Sequence, residues 1–412
     1  MSDSHQATGD ATLARSVSFP WLVLYGLGTT IGAGIYALTG VVAGRSGLMA
    51  PSAFAFASLM ALFTALSFAE LSSRFPRAGG EAVYVREGLG SRRLSSVVGV
   101  LVVIAGLISA ATVSVGFAGY LSAFVEVNRV LVAGGAVLAI GGVAAWGVRE
   151  SVTLAGLMTL LEVGGLLMVI GFGWPVLQDW PERAPEMLPS DGASLAAVAG
   201  SGILAFYAFL GFEDMVNVAE EVRDVRRTLP RAILVTLGVT TLLYVVLAAV
   251  AVLAVPPSEL AASEAPLSLV FERCGGRPEI LGAIALFALL NGALVQVIKG
   301  SRVLYGLGRQ GSLPSRLGRV HPRTRTPLLA TAIATGVAAA LAVAFPLEVL
   351  AEATSAVTLV TFCLANVALV VVKLRDPRPD GVVCYPLAVP IAGALVTSGL
   401  LVFEAVHRVG GS

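Results

Sequence analysis

Among the ionisable residues inside otherwise apolar stretches, Glu162, Glu213, Asp214 and Lys299 are the candidates for chemistry. An ionised group at the centre of a membrane-spanning helix costs roughly 2.5–3.5 kcal/mol on insertion scales, so such groups face a partner or a polar cavity rather than lipid. They are the groups that could hold a cation, accept an ammonium or carry a proton. A second kind of chemistry lies in Gly26-Leu27-Gly28-Thr29-Thr30-Ile31-Gly32-Ala33-Gly34-Ile35-Tyr36, where four of eleven residues are glycine. A helix broken there exposes backbone amides, and the positive end of the half-helix that follows favours an anion such as a carboxylate. The same glycines could instead let two helices pack closely. Asn291 and Gln296, a turn and a half apart, could line a cavity or bond between helices; Ser109, Thr112 and Ser114 could face a substrate or simply permit packing.

These residues need a membrane to make sense. The chain has 412 residues, 56% of them hydrophobic and 13% charged, with a mean hydropathy of +0.87, which is the composition of a polytopic membrane protein. Apolar runs long enough to cross about 30 Å of hydrocarbon fall at 19–43, 51–73, 95–125, 130–147, 152–174, 195–218, 231–255, 279–306, 327–346, 349–373 and 386–406. Eleven spans are expected. The first sixteen residues lack the basic start and cleavage site of a secretory signal, so the run from Phe19 reads as the first span.

Basic residues are retained on the cytoplasmic side. With the N-terminus inside, twenty fall on inner segments and six on outer ones, Arg45, Arg129, Arg183, Arg273, Arg277 and Arg408. The expectation is a multi-pass protein of the cytoplasmic (inner) membrane, its N-terminus cytoplasmic and its C-terminus outside. A net charge of +1 gives no reason for a nucleic-acid partner, and the lipid bilayer is the expected surroundings. Cys274, Cys363 and Cys384 are far apart, and His5, His321 and His407 fall outside the spans, so no metal or cofactor is expected. The inner loop from Arg74 to Gly90 reads as a short amphipathic or re-entrant piece, or as an interfacial loop; the acid- and proline-rich stretch from Pro175 to Gly192 reads as a solvated connection.

A second break is expected where Phe206-Tyr207-Ala208-Phe209-Leu210-Gly211-Phe212-Glu213-Asp214 sets two carboxylates after a glycine. Breaks in the first and sixth spans have the relation expected of two five-helix repeats of opposite orientation, with irregular backbone tolerated where it lines a cavity.

With both breaks in view, the chain resembles the amino acid–polyamine–organocation permease superfamily, close to bacterial relatives of the cationic amino acid transporters. The resemblance rests on Ile31-Gly32-Ala33-Gly34-Ile35, on Phe68 through Gly80, on Phe209-Leu210-Gly211-Phe212-Glu213 with Ala219-Glu220-Glu221-Val222 and Leu229-Pro230-Arg231, and on Ser301 through Tyr305-Gly306 to Gly311-Ser312-Leu313-Pro314. It implies an all-α, five-plus-five inverted-repeat (LeuT-like) fold with the first and sixth helices unwound. The expected division is a tail at 1–18, repeats at 19–174 and 195–373, and an additional span at 386–406, one where the family usually has two. It further implies that Ile31, Gly32, Ala33, Gly34 and Ile35 cradle a substrate carboxylate and that carbonyls of Ala208, Phe209 and Leu210 receive its ammonium. Tyr207 falls at the family's aromatic gate and Glu213 matches an acidic residue beside it; Tyr207, Gly211, Phe212 and Glu213 are thereby expected among the substrate-binding residues.

Two features depart from the family pattern. Glu162 stands near the place where proton-coupled relatives carry a lysine, and Lys299, one of only two lysines against 25 arginines, lies inside the eighth span. Similar distances from the inner face at 1.5 Å per residue suggest a Glu162–Lys299 pair in place of a coupling cation, or alternatively a snorkelling lysine and a locally bonded acid. Glu162, Lys299 and Asp214 are the candidate coupling or proton groups, and sodium independence follows if the pair forms. The expected function is secondary active transport of amino acids by alternating access, as proton-coupled symport, exchange (antiport) or uniport. A polyamine or other amine permease is the runner-up, and a non-transporting amino acid sensor stands behind it. No paired nucleophile and base lies at membrane depth to suggest an enzyme, and no repeated filter to suggest a channel.

Overall fold

A computed structural model describes residues 17–77, 80–146, 149–309, 311–321, 324 and 326–410, and the described residues form helices and no strand. In chain order these are α1 (Phe19–Ser46), α2 (Ala50–Arg74), α3 (Gly80–Leu89), α4 (Arg92–Ser122), α5 (Arg129–Trp146), α6 (Arg149–Phe172), the short α7 (Trp174–Leu177) and α8 (Trp180–Arg183), α9 (Gly192–Tyr207), α10 (Val225–Ala254), α11 (Pro257–Ala262), α12 (Pro266–Arg273), α13 (Pro278–Arg309), α14 (Leu328–Ala344), α15 (Leu347–Arg375) and α16 (Ala388–Gly410). Among the described residues, ten of the eleven apolar runs coincide largely with one helix each, and the run at 195–218 is divided between α9 and the 3-10 helix that follows it. Among the described residues, six helical stretches are long and apolar enough to cross a membrane by length and composition, and Arg129–Ala145, Met158–Phe172, Leu328–Ala344 and Ala388–Phe403 are shorter apolar helices.

Both expected breaks are present. α1 leaves helical geometry at Gly32 (φ 0°, ψ −123°). α9 ends at Tyr207, and after a turn the chain continues as a 3-10 helix over Phe212–Glu221. The turn needs glycine at Gly211, whose φ is +128° and where a β-carbon would meet the Thr29 carbonyl oxygen at 2.2 Å. Gly34 is equally constrained, since a β-carbon there would stand 2.5 Å from the Cα of Ala208. The two breaks thus touch each other, and the Thr29 hydroxyl lies 3.0 Å from the Gly211 carbonyl it can donate to.

Aromatic packing holds the 3-10 segment. Phe212 sits 5.6 Å from Phe362 of α15 and 6.1 Å from Phe68 of α2, and Phe68 in turn meets Tyr84 of α3 edge-on at 5.8 Å. Buried pairs of this kind add about 0.5–1.5 kcal/mol beyond their area.

The inner loop resolves as an amphipathic helix. α3 buries Gly80, Glu81, Tyr84, Val85 and Gly88, the i, i+3, i+4 spacing of one helical face, against α4 and α15. The stretch after α6 is a run of short helical turns rather than a free loop. It ends in a cap, where Asp191 accepts the Ser194 N–H at 2.7 Å while the Ser194 hydroxyl accepts the Asp191 N–H at 3.0 Å.

Glu70 near the end of α2 and Arg302 near the end of α13 have different surroundings. Arg302 is exposed. Glu70 is fully buried, takes Arg74 at 2.7 Å and Lys373 at 2.7 Å, and accepts the Tyr385 N–H at 2.9 Å, pinning the segment between α15 and α16 to the end of α2.

Candidate functional site

A small cavity of about 30 Å³ lies between the two breaks. Its α1 wall is Thr29, Thr30, Gly32 and Gly34, and Ser109 and Val113 of α4 face them. Tyr207 and Leu210 close it from the sixth span, and Gly292, Val295 and Gln296 of α13 form the remaining side. One water needs roughly 10–15 Å³ on this measure, so the cavity admits very few and must open around any larger solute.

The polar lining is partly satisfied. The Tyr207 hydroxyl and the Ser109 hydroxyl share a hydrogen bond at 3.1 Å, joining the sixth span to α4. Gln296 turns its amide N–H to Asp214 Oδ2 at 3.4 Å, the only sense of that amide a carboxylate accepts. Gln296 Oε1 and Thr30 Oγ1 are buried with no hydrogen-bond partner among the described residues. Orphaned polar atoms at a cavity wall cost about 1–3 kcal/mol each, which a polar ligand would recover.

The expected cradle residues divide. Gly32 and Gly34 line the cavity, while Ile31 and Ile35 are wholly buried in the helix packing. Ala33 has a side chain outside those described. The Ala208 carbonyl, expected to receive an ammonium, lies 3.0 Å from the Tyr244 hydroxyl of α10, which also stands 3.1 Å from the Thr30 carbonyl and 3.4 Å from that of Ile31. One hydroxyl proton serves three carbonyls there and bridges the two broken helices. Phe209 packs on the Tyr244 ring at 5.1 Å and Phe212 belongs to the aromatic cluster, so neither lines the cavity. Glu213 bends back to accept the Gly211 N–H at 2.7 Å, capping the break rather than facing a solute.

The expected Glu162–Lys299 pair does not form. Lys299 forms an ion pair with Asp214 instead, and Glu162 accepts the Asn291 amide N–H at 3.1 Å. Asn291 precedes Lys299 by eight residues, about 12 Å along α13, so Glu162 lies well away from the lysine along the helix axis. Glu162 lies 13 residues from the start of α6 and its partner Asn291 lies 18 from the end of α13, so those two helix ends are offset by about five residues, roughly 7.5 Å, and equal depth counted from each end does not place two residues side by side. Glu162 Oε2 is buried without a partner among the described residues, and Tyr36 of α1 donates to the Glu162 backbone carbonyl at 2.9 Å. Asn291 bonds between helices and Gln296 lines the cavity while also reaching Asp214.

Sequence reasoning passed over Tyr244 and Glu81. A tyrosine in an apolar run must find a partner for its hydroxyl, but nothing local says which. Glu81 was legible: Glu81, Tyr84, Val85 and Gly88 share the i, i+3, i+4, i+7 stripe that faces the interior. Burial pushes its carboxyl up to about 6, against the pull of the Lys299 ammonium.

Known proteins resemble this chain over nearly all of its length. Residues 18–409 match the family described as Amino acid permease. The chain is 29% identical to the branched-chain amino acid permease BcaP of Bacillus subtilis (strain 168), over 96% of its own length and 87% of the relative's. It is 31% identical to the mitochondrial cationic amino acid transporter 3 of Arabidopsis thaliana over 90% of this chain and 64% of that one. It is also 26% identical to the methylthioribose transporter of Bacillus subtilis (strain 168), over 89% and 83% respectively. The matched region takes in both breaks and every helix that lines the cavity, and the chain belongs to the amino acid permease family.

Proposed function

We propose that the protein is a secondary active transporter that carries an amino acid with an apolar side chain across the cytoplasmic membrane by alternating access. The observation that carries this reading is the pair of unpartnered oxygens, Thr30 Oγ1 and Gln296 Oε1, buried at the wall of a cavity closed by two helix breaks. A zwitterion supplies hydrogen-bond donors to such atoms, and backbone at the breaks answers its two charges. Val113, Leu210 and Val295 offer apolar surface to its side chain. The chain enters from the cytoplasm and ends outside, with two inverted repeats at 19–174 and 195–373 rocking about the site.

Coupling falls to a proton. Of the three groups expected to serve, Lys299 and Asp214 spend their charges on each other, whereas Glu162 keeps one oxygen unmatched. A buried carboxylate with an empty acceptor is costly, and a bound proton removes that cost. The titratable neighbours that feel its charge are Tyr36 of α1 and Tyr244 of α10, with Asn291 of α13 bonded to it.

The test is uptake of labelled amino acids and amines into proteoliposomes, with and without an inward proton gradient and with sodium present or absent. Accumulation of leucine-like substrates driven by the proton gradient alone is the expected result. Sodium-dependent uptake, or uptake of amines in preference to amino acids, contradicts the reading.

A further inference from the structure

Gly292, Val295 and Gln296 line the cavity, and Lys299 continues their stripe at the i+7 position of α13. Three residues beyond Gln296 is about 4.5 Å along the axis on the same helix face. There the lysine meets Asp214, whose other oxygen takes the Gln296 amide. Both partners are largely buried, with 13% of the Lys299 side chain and 2% of that of Asp214 exposed. Two further carboxylates act on the same ammonium: Glu213, bent back to the Gly211 N–H, and Glu81 from α3. Three acids therefore surround one cation at the end of the cavity stripe. The ammonium is tethered to the wall.

We infer that Lys299 is a specificity-determining residue, a built-in cation that fills the place where the ammonium of a cationic substrate's side chain would bind, so that only substrates with uncharged side chains are carried. This rests on the reading of the cavity as the substrate site and names the substrate class that site takes. A side chain long enough to follow Val295 and Gln296 to Asp214 would carry its own ammonium into contact with Lys299, and like charges at such a place repel strongly. An apolar side chain stops at Val295 and Leu210 and meets no charge. Shortening Lys299 leaves Asp214, Glu213 and Glu81 without their cation and empties the room its side chain fills, so the wall becomes a receptor for the cation it now excludes. Acids already in place make a single substitution sufficient.

The experiment reconstitutes the full chain as wild type, as Lys299→Ala, and as the double variant Asp214→Asn with Lys299→Met. Each is assayed for uptake of labelled leucine, lysine and ornithine. Wild type is expected to take up leucine and neither diamino acid. In Lys299→Ala the ratio of lysine or ornithine uptake to leucine uptake should rise about tenfold or more, and the double variant, lacking the acid that greets the ammonium, should not gain it. A wild type that carries lysine as readily as leucine overturns the inference, as does a folded Lys299→Ala that stays selective for leucine, or a double variant that gains lysine uptake equally. If Lys299→Ala does not fold, competition on wild type decides. Unlabelled lysine that inhibits leucine uptake as well as unlabelled leucine does overturns the inference, and absence of competition upholds it. Wild type that moves no amino acid overturns the transport reading and this inference together, whereas leucine transport without the switch overturns this inference alone.

Discussion

Glu162 places a strong demand on its surroundings. Asn291 satisfies one carboxyl oxygen, and the other has no partner among the described residues. If this carboxyl carries the coupled proton, Glu162→Gln keeps the Asn291 contact in shape but can no longer change charge. The expected outcome is loss of proton-driven accumulation in proteoliposomes, with counterflow between preloaded and external substrate retained within a few fold. Accumulation at the wild-type level in the variant would remove Glu162 from the coupling. The residues that carry charge were visible from composition alone, because ionisable groups are rare in apolar runs. Their partners were not. Depth along a helix can be estimated from sequence, but helix ends, tilt and azimuth cannot, and the exchange of a Glu162–Lys299 pair for Lys299–Asp214 and Glu162–Asn291 follows from those three unknowns.

Among the elements, the broken spans were the most legible. Glycine density in the first and a glycine followed by two carboxylates in the sixth mark positions where a regular helix is disfavoured, and the structure breaks at Gly32 and after Tyr207. The residues of α3 are compatible with an amphipathic or re-entrant piece and with an interfacial loop alike, since ten residues with few apolar side chains fix little without their packing partners. Its interior face carries an acid, and that has a measurable consequence. Burial raises the folded carboxyl of Glu81 from an ordinary 4.5 to about 6, with Lys299 opposing. A raised folded value means that stability is fully present below the unfolded pKa and is lost as pH climbs through the folded one. Glu81→Gln is neutral throughout, so it should melt above wild type at pH 8 by an amount on the order of 2 kcal/mol. The gap should narrow between pH 6 and 4.5 and close below, as followed by thermal melts of purified protein. A gap that is constant with pH would mean that Glu81 is ionised at no cost.

At the scale of the whole molecule, the eleven apolar runs, the all-helical class and the family were all readable before any coordinates, because each depends on length, hydropathy and a few ordered motifs. What held the halves together was not readable. The Tyr244 hydroxyl bridging carbonyls of both breaks joins positions separated by 214 and 36 residues in sequence, and the Glu70 cluster joins α2 to α15 across 303. Such contacts arise from how the helices assemble, and no local pattern encodes them. The Tyr244 bridge also borders the cavity between the two breaks, which we propose receives the substrate.

That claim is tested by substrate protection at the cavity wall. Ser109 lines the cavity opposite α1, and Ser109→Cys can be labelled in a background in which Cys274, Cys363 and Cys384 are replaced by serine. The rate of modification by a small, membrane-permeant thiol reagent is measured in proteoliposomes with and without a saturating concentration of the amino acid that the uptake panel shows to be carried best. Modification should slow about tenfold when substrate is bound, by simple occupancy of the site. An unchanged rate, at a substrate concentration that saturates transport by the same variant, would contradict it.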